Sequence, residues 1–268
     1  MLFHIVVPIK QVPDIERVKF DLETGRIDRS SAPGETNPFD LNALEAAVRI
    51  KEEIGGYVTA ISMGPPQAES TLRDALARGA DRAILLTDRR FAGADTLATS
   101  YTLACAIRKL GRFDLIICGE KTVDGDTGQV GPEIAEHLGI PHVAYVSKIE
   151  RITKKSIIVI SDLGDAYYLI EMELPGLITV TKDINTPRLP TLRDRLRARK
   201  AKIEIWNADE LADIASVSRF GYEGSPTRVI RIVIPEEEEK RRGIIFRGRD
   251  AVDRLISALI EEGVLRIE

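Results

Sequence analysis

The sequence predicts an α/β fold with a doubly wound, mostly parallel sheet. Over residues 1–150, short apolar runs alternate with segments whose apolar residues recur at helical spacing. This alternation is typical of right-handed β-α-β crossovers, and uninterrupted apolar runs are typical of strands covered on both faces. The 268 residues, 44% hydrophobic and 30% charged, suit a globular protein with one large core.

The elements follow one another in a regular order. The strands are expected at Phe3–Ile9, Tyr57–Met63, Arg82–Thr87, Phe113–Cys118 and His142–Ile149. The helices between them are expected at Leu41–Ile54, from Gly64 to Arg78, from Asp95 or Thr96 to Leu110, and over a short segment ending near Gly139. Asn37 is the expected N-cap of the first helix, with Pro38 as its first residue and Asp40 in its first turn.

The C-terminal half departs from this pattern. Ser156–Ser161 and Ala166–Glu173 flank a turn sequence and predict a hairpin, which Gly176–Thr181 is expected to extend as an antiparallel annex. Residues 183–202 are rich in arginine without apolar periodicity and are interpreted as a loop. Residues 235–268 predict a charged helix, supported by pairs such as Glu236 and Lys240, and then an amphipathic helix in an extended C-terminal arm.

Composition excludes several classes of protein. No run approaches the roughly 20 apolar residues that cross a membrane, and Met1–Pro8 lacks the basic start of a signal peptide. Cys105 and Cys118 are too few for a disulfide framework and are expected to be buried thiols. Three scattered histidines lack metal-ligand spacing, and a net charge of −4 gives no reason for binding nucleic acid. We therefore expect a soluble cytoplasmic protein.

The loops after Val7, Met63 and Cys118 form the candidate site, because parallel sheets bind ligands at the carboxyl ends of their strands. The segment Gly119–Pro132 contains four glycines and opens a helix, an arrangement that suits phosphate. Its two aspartates, Asp124 and Asp126, would each repel a phosphate by about 1 kcal/mol at ~4 Å in water. They are therefore expected to point away, cap the turn or accept from ribose hydroxyls. A plain strand-to-helix turn and a hydrolytic carboxylate pair are the alternatives.

Other segments offer weaker signals. Gly64, beside Ser62 and Met63, would let an adenine or ribose approach. Lys10 would contact either an anion or solvent. Asn37 and Asp40 are expected mainly as helix caps and only secondly as ligand groups. Neither a Gly-x-Gly-x-x-Gly motif after the first strand nor a P-loop motif is present, which disfavours standard dinucleotide dehydrogenases and P-loop NTPases. The basic stretch Thr191–Lys202 lacks aromatic residues, so it is interpreted as a solvated loop or as a docking loop for an acidic protein partner.

Taken together, these segments resemble the small (β) subunit of the electron-transfer flavoproteins. The matching segments are Asn37–Asp40 with Glu45–Arg49, Met63–Gln67, Ala75–Arg82, Gly119–Gln129, Leu174–Pro175, Asn185–Arg188 and Leu192–Lys202. The resemblance covers nearly the whole chain and weakens after about Ser218. It implies a heterodimer with a larger α subunit that carries FAD, and an adenine nucleotide bound in the β subunit itself.

The resemblance also implies two kinds of electron transfer. In ordinary members the β-site nucleotide is a structural AMP, and the complex shuttles single electrons from dehydrogenases. In electron-bifurcating members it is a second FAD, which takes a hydride from NADH. One electron then goes to a high-potential acceptor, an acyl-CoA dehydrogenase-type or quinone oxidoreductase partner, and one to ferredoxin or flavodoxin. The loop Val123–Val130 resembles the bifurcating type, in which small residues such as Gly125 leave room for a flavin. A stand-alone nucleotide sensor or hydrolase is the remote alternative.

The resemblance and the loop positions together define the expected site. The residues expected to bind the cofactor are Val7, Pro8, Lys10, Asn37, Asp40, Ser62, Met63, Gly64, Cys118, Gly119, Asp124, Gly125, Asp126, Thr127, Gly128, Gln129 and Val130. The residues expected to dock a dehydrogenase partner are Leu192, Arg193, Arg195 and Leu196. No catalytic acid or base is expected.

The same reasoning predicts that the chain has three parts. The sequence also departs from the family pattern at two places. The expected parts are a nucleotide-binding domain at residues 1–182, a docking and connecting segment at 183–234, and a helical arm at 235–268 that packs on the α subunit. Asp165-Ala166 and Tyr168 replace the usual glycine pair and glutamate of the hairpin. Arg193 replaces the proline often found after the docking leucine.

Overall fold

The computed structural model describes residues 2–14, 19–21, 26–28, 34–228, 230 and 243–266. Its strands are β1 (His4–Pro8), β2 (Gln11–Pro13), β3 (Lys19–Asp21), β4 (Arg26–Asp28), β5 (Gly34–Thr36), β6 (Tyr57–Met63), β7 (Arg82–Leu86), β8 (Leu115–Gly119), β9 (His142–Ile152), β10 (Ser156–Asp162), β11 (Tyr167–Glu173), β12 (Gly176–Val180) and β13 (Glu204–Trp206). Its helices are α1 (Pro38–Ile54), α2 (Glu69–Arg78), α3 (Thr96–Leu110), α4 (Val130–Leu138), α5 (Leu192–Lys200) and α6 (Ala251–Glu261).

The central sheet confirms the predicted α/β class. Nine strands lie in the order β11-β10-β9-β12-β8-β1-β6-β7-β13, and all neighbouring pairs from β9 to β13 are parallel. The chain runs outward from β1 through β6 to β7 and then returns to the other side of β1 as β8. The strand order therefore reverses between β1 and β8, which is the switch point where such sheets bind ligands.

Helices cover both faces of this sheet. Ile5 and Val7 of β1 pack on one face with residues of α1 and α2, such as Leu44, whereas Val6 packs on the other face with residues of α3 and α4, such as Ile134. These side chains are fully or almost fully buried. Burial of an aliphatic side chain of this size stabilises the fold by about 1.5–3 kcal/mol. The two layers hold the strand ends, and hence the loops that follow them, in fixed positions.

The prediction that Gly176–Thr181 extends the antiparallel annex is wrong. At this edge the antiparallel pairs are β10 with β11 and β10 with β9. Strand β12 instead lies between β8 and β9, is parallel to both, and is buried along its whole length. The sequence Gly-Leu-Ile-Thr-Val does not alternate apolar and polar residues as a half-exposed strand would. This pattern is typical of a strand that is covered on both faces.

The basic stretch is a helix rather than the predicted loop. The Asp194 amide donates to the Thr191 hydroxyl oxygen at 3.2 Å, which caps the first turn of α5. A threonine followed three residues later by an acid is a helix-start signal that outweighs the missing apolar periodicity. Strand β13, also unpredicted, follows this helix and pairs with β7. Glu204 of β13 accepts two hydrogen bonds from Arg82 of β7, at 2.7 and 2.8 Å.

The chain forms two compact units, residues 1–230 and residues 231–268. In the second unit α6 is the predicted amphipathic helix, and its apolar residues Val252, Leu255, Ile256 and Ile260 are exposed. The charged helix expected before it falls largely on residues outside those that the structure describes. The three-part division of the chain stays a prediction. No helix among the described residues is both long and apolar enough to span a membrane.

Candidate functional site

The loops that follow β1 and β8 meet at the switch point. The Lys10 ammonium group, after β1, contacts both carboxylate oxygens of Asp124, after β8, at 2.7 and 2.9 Å. The Lys121 ammonium group contacts one carboxylate oxygen of Asp126, at 2.7 Å. Each aspartate of the glycine-rich loop is thus neutralised by its own lysine. The repulsion that the sequence alone predicts between these carboxylates and a phosphate is largely cancelled by this pairing.

The first turn of α1 holds the glycine-rich loop in place. The buried Asn37 side chain donates to the Lys121 carbonyl at 2.9 Å and accepts from the Val123 amide at 3.3 Å. The prediction that Asn37 is the N-cap of α1 is thus confirmed, but its side chain makes no capping hydrogen bond. The amide of Asp40, the third residue of the helix, donates instead to the Asn37 backbone carbonyl at 3.0 Å, which leaves the side chain to satisfy the loop's backbone groups.

Asp40 joins the same helix to the loop after β1. Its buried carboxylate accepts from the Lys10 amide at 2.8 Å, so it acts neither as a simple cap nor as an exposed ligand group. Burial raises its pKa to about 7, against the opposing effect of hydrogen bonds from Lys10, Asn37 and Gly119. Gly119 is required here because a Cβ atom would lie 2.5 Å from the Asp40 carboxylate.

The carboxyl end of β6 contributes a buried hydroxyl group. Ser62 is fully buried, and its hydroxyl oxygen has no hydrogen-bond partner among the described residues. Because buried hydroxyls are normally paired, an unpaired one at the carboxyl end of a central strand is a candidate ligand contact. The neighbouring Gly64 packs closely on the helix that follows, with only 3.1 Å between a Cβ built on it and the Ala68 methyl group.

The glycine-rich loop itself is open to solvent at its tip. Gly125, Asp126 and Thr127 are exposed, and the Asp126 amide closes a turn by donating to the Thr122 carbonyl at 2.8 Å. The side chain of Gln129, at the N-cap position of α4, makes no capping hydrogen bond. The first amides of α4 are therefore available to an anionic group.

The remaining predicted site residues divide between backbone and side-chain roles. Val7, Pro8 and Cys118 are buried, so only their backbone groups can face a ligand. Cys105 is also buried, which confirms that both cysteines are buried thiols. Burial raises the pKa of Cys118, with a further contribution from the negative charge of Asp40.

The predicted docking residues lie together on α5. Leu192, Arg193, Arg195 and Leu196 are all exposed, with 75% of the surface of Leu192 accessible. Among the described residues, none of the hydrogen bonds or ion pairs of these four side chains reaches the loops at the switch point, so we treat them as a separate surface.

Anchoring residues that the sequence did not indicate hold this surface on the domain. Arg188, just before α5, contacts Glu45 of α1 at 2.7 Å and Glu52 of α1 at 2.6 Å. Arg73 of α2 donates to the carbonyl oxygens of Ala198 and Arg199 at 2.8 and 3.0 Å. These pairs lie more than a hundred residues apart in sequence, so no local spacing could have shown them.

Comparisons with known proteins agree with this fold. The family model described as "Electron transfer flavoprotein domain" matches residues 24–211. The electron transfer flavoprotein subunit beta of Thermoanaerobacterium thermosaccharolyticum is 47% identical over 265 residues, which cover 98% of this chain and 100% of that protein.

Two further relatives have more specific names. The caffeyl-CoA reductase-Etf complex subunit CarD of Acetobacterium woodii is 43% identical over 266 residues, which cover 98% of this chain and 100% of that protein. Protein FixA of Azorhizobium caulinodans is 43% identical over 265 residues, which cover 96% of this chain and 94% of that protein. With a family match over more than half of its length and full-length relatives of this kind, the chain belongs to the electron transfer flavoprotein family as a β subunit.

Proposed function

We propose that this chain binds FAD at the switch point between β1 and β8 and works in an electron-bifurcating complex. Membership of the family implies a flavin or nucleotide cofactor and pairing with an α subunit. The observation that carries the proposal is the joining of three elements around one loop. Lys10 and Asn37 connect the loop after β1 and the start of α1 to the glycine-rich loop after β8.

The residues around this loop fit the diphosphate of an adenine dinucleotide. The carboxylates of Asp124 and Asp126 are paired with lysines, and the first turn of α4 has no side-chain cap. Backbone amides of the loop and the helix would therefore hold the phosphates without a net repulsive charge. The unpaired Ser62 hydroxyl, with Met63 and Gly64, would contact the adenosine part.

The choice of FAD over AMP rests on the space at the tip of the loop. A Cβ atom built on Gly125 would meet only the Thr122 hydroxyl oxygen, at 3.3 Å, so the ligand side of this residue is open. FAD bound there would accept a hydride from NADH and release its two electrons singly. The chain's own residues would position this flavin and set its environment, and they would supply no proton in the reaction.

The partners proposed for the complex follow from the same assignment. We propose an α subunit that carries a second FAD, ferredoxin or flavodoxin as the low-potential acceptor, and an acyl-CoA dehydrogenase-type or quinone oxidoreductase as the high-potential acceptor. The exposed residues Leu192, Arg193, Arg195 and Leu196 on α5 would dock the last of these. The complex would act in the cytoplasm.

Counting cofactors in the purified complex tests this proposal. The chain is produced together with its α subunit, and the bound nucleotides are released and quantified by chromatography. We expect two FAD molecules per heterodimer and NADH-dependent reduction of ferredoxin or flavodoxin. One FAD and one AMP would instead show an ordinary one-electron shuttle and refute the bifurcating assignment.

The variant Gly125→Asp tests the position of the flavin. Its side chain would crowd the open tip of the loop and add a negative charge, so we expect the FAD content of the complex to fall from two toward one. Gly243→Asp is the control for adding the same side chain, because a Cβ atom at Gly243 meets nothing within 4 Å and this residue lies in the other unit of the chain. An unchanged FAD content in Gly125→Asp would contradict the placement of the flavin at this loop.

A further inference from the structure

One residue in a left-handed backbone conformation lies in the glycine-rich loop, and another lies in the strand β9 beside it. Among the described residues, Asp126 (φ 52°) and Tyr145 (φ 55°) are the non-glycine residues with positive φ. Aspartate adopts this conformation fairly readily, whereas a bulky aromatic residue rarely does. Such conformations persist only where the surrounding structure holds them, and they concentrate at binding sites.

A bulge in β9 places Tyr145 in this conformation. Ile178 of β12 pairs with Val143 of β9, and Val180 pairs with Val146, so two residues of β9 stand opposite Thr179 alone. Bulges of this kind redirect a side chain out of the regular alternation of a strand.

Thr179 connects the bulge to the start of α4. The Tyr145 amide donates to the Thr179 hydroxyl oxygen at 3.1 Å. The Thr179 methyl group would lie only 2.6 Å from a Cβ atom on Gly131, in the first turn of α4, so the glycine is needed for this contact. The residue that holds Tyr145 therefore also sets the position of the helix end at which we propose the phosphates bind.

The Tyr145 ring lies beside the glycine-rich loop and remains 41% exposed. Its hydroxyl oxygen is 3.7 Å from the position of a Cβ atom on Gly128, which itself has a φ of +64°. The pKa of the nearby Lys121 is raised, mainly by its hydrogen bond to Asp126 and to a smaller extent by Tyr145. The bulge therefore holds the backbone of Tyr145 in this conformation, while its partly exposed ring stays beside the glycine-rich loop, where it can contact a ligand.

We propose that Tyr145 is a further ligand-binding residue, whose hydroxyl group donates a hydrogen bond to the phosphate part of an adenine nucleotide held by residues 119–130. The inference rests on the proposed function, because it requires a nucleotide at this loop. A phosphate is the expected acceptor because the hydroxyl lies beside the loop corner that leads into α4. A phenolic O–H also makes a strong, charge-assisted hydrogen bond to an anionic oxygen.

Calorimetric titration of the full chain with AMP, FAD and adenosine tests this inference. Tyr145→Phe removes only the hydroxyl group, so we expect its affinities for AMP and FAD to fall about tenfold, as for loss of one hydrogen bond to a charged group. Its affinity for adenosine should not change, because adenosine has no phosphate. Tyr168→Phe is the matched control, since Tyr168 is similarly exposed, at 47%, on the hairpin strand β11.

The outcomes separate this inference from the proposed function. If the wild-type chain binds AMP or FAD and Tyr145→Phe binds them equally well, the role of Tyr145 is wrong and the proposed site stands. If the wild-type chain binds neither nucleotide, both are overturned.

The variant Tyr145→Gly tests why the strained conformation is retained. Glycine adopts a positive φ without steric cost, so we expect the melting temperature to rise by about 2 °C or more. Its affinity for AMP should fall at least as far as that of Tyr145→Phe. A lower melting temperature together with unaltered affinity for AMP would assign Tyr145 a structural role and overturn the proposal.

Discussion

The buried carboxyl group of Asp40 should make the stability of this protein fall as the pH rises from 4 to 7. Burial raises its pKa from 3.8 to about 7 in the folded chain. Between these two values the folded chain keeps a proton that the unfolded chain has lost, so a higher pH favours unfolding. This is opposite to the usual effect of a salt-bridged carboxylate, whose pKa is lowered by folding.

The size of the effect follows from the pKa difference. A shift of one unit corresponds to about 1.4 kcal/mol, so the shift from 3.8 to about 7 amounts to roughly 4 kcal/mol over the full range. Between pH 5 and pH 8 the contribution of Asp40 to the free energy of unfolding should fall by about 2–3 kcal/mol. Solvent screens this effect little, because Asp40 is only 5% exposed.

The variant Asp40→Asn isolates this contribution. An asparagine can still accept the hydrogen bond that the Lys10 amide donates at 2.8 Å, but it has no charge to desolvate. The free energy of unfolding of the variant minus that of the wild-type chain should therefore be about 2–3 kcal/mol higher at pH 8 than at pH 5.

Urea unfolding of the nucleotide-free chain at these two pH values measures the difference. Comparing variant with wild type at each pH cancels the groups that both proteins share. The exposed Asp213, changed to asparagine, controls for the loss of one negative charge. If Asp40→Asn changes the free energy of unfolding equally at pH 5 and pH 8, the argument from burial is refuted.

Two further predictions concern the contacts that hold the loops. Asn37→Asp replaces the amide that donates to the Lys121 carbonyl with a buried negative charge, so the free energy of unfolding at pH 7 should fall by about 1–3 kcal/mol; a urea midpoint equal to that of wild type would contradict this. Arg188→Met leaves the buried Glu45 without its main partner, so the free energy of unfolding at pH 7 should fall by about 2 kcal/mol. The matched change at the exposed Arg193, Arg193→Met, should leave the free energy of unfolding almost unchanged. Burial opposes ionisation of Glu45, but hydrogen bonds from Arg188 and Arg49 lower its pKa, so this cost should shrink as the pH falls below about 4.5; a cost that does not change with pH would refute it.

The parts of the fold set by local pattern could be predicted from the sequence. The strand Tyr57–Met63 is observed with the predicted bounds, because its apolar run is bounded by Gly56 and Gly64. The helix from Thr96 to Leu110 begins as predicted, since the Asp95 carboxylate accepts from the Ala98 amide at 3.0 Å.

The parts set by distant contacts could not. Nothing within Gly176–Val180 indicates which strands it pairs with, and its place between β8 and β9 depends on residues far away in the sequence. The Asn37 side chain, predicted as a cap, bonds to a loop more than eighty residues away. The left-handed Tyr145 arises from a bulge that depends on pairing with β12, and no short motif marks it.

The attachment of α5 has a consequence for how this surface can change in evolution. Arg73 binds the last turn of the helix through the carbonyl oxygens of Ala198 and Arg199, and Arg78 binds the Arg188 carbonyl oxygen at 2.6 Å. Carbonyl oxygens are supplied by every amino acid, so these contacts do not depend on the side chains that α5 displays. The exposed face of the helix is therefore free to diverge and to acquire new partners while its anchorage, and with it the stability of the domain, is inherited unchanged.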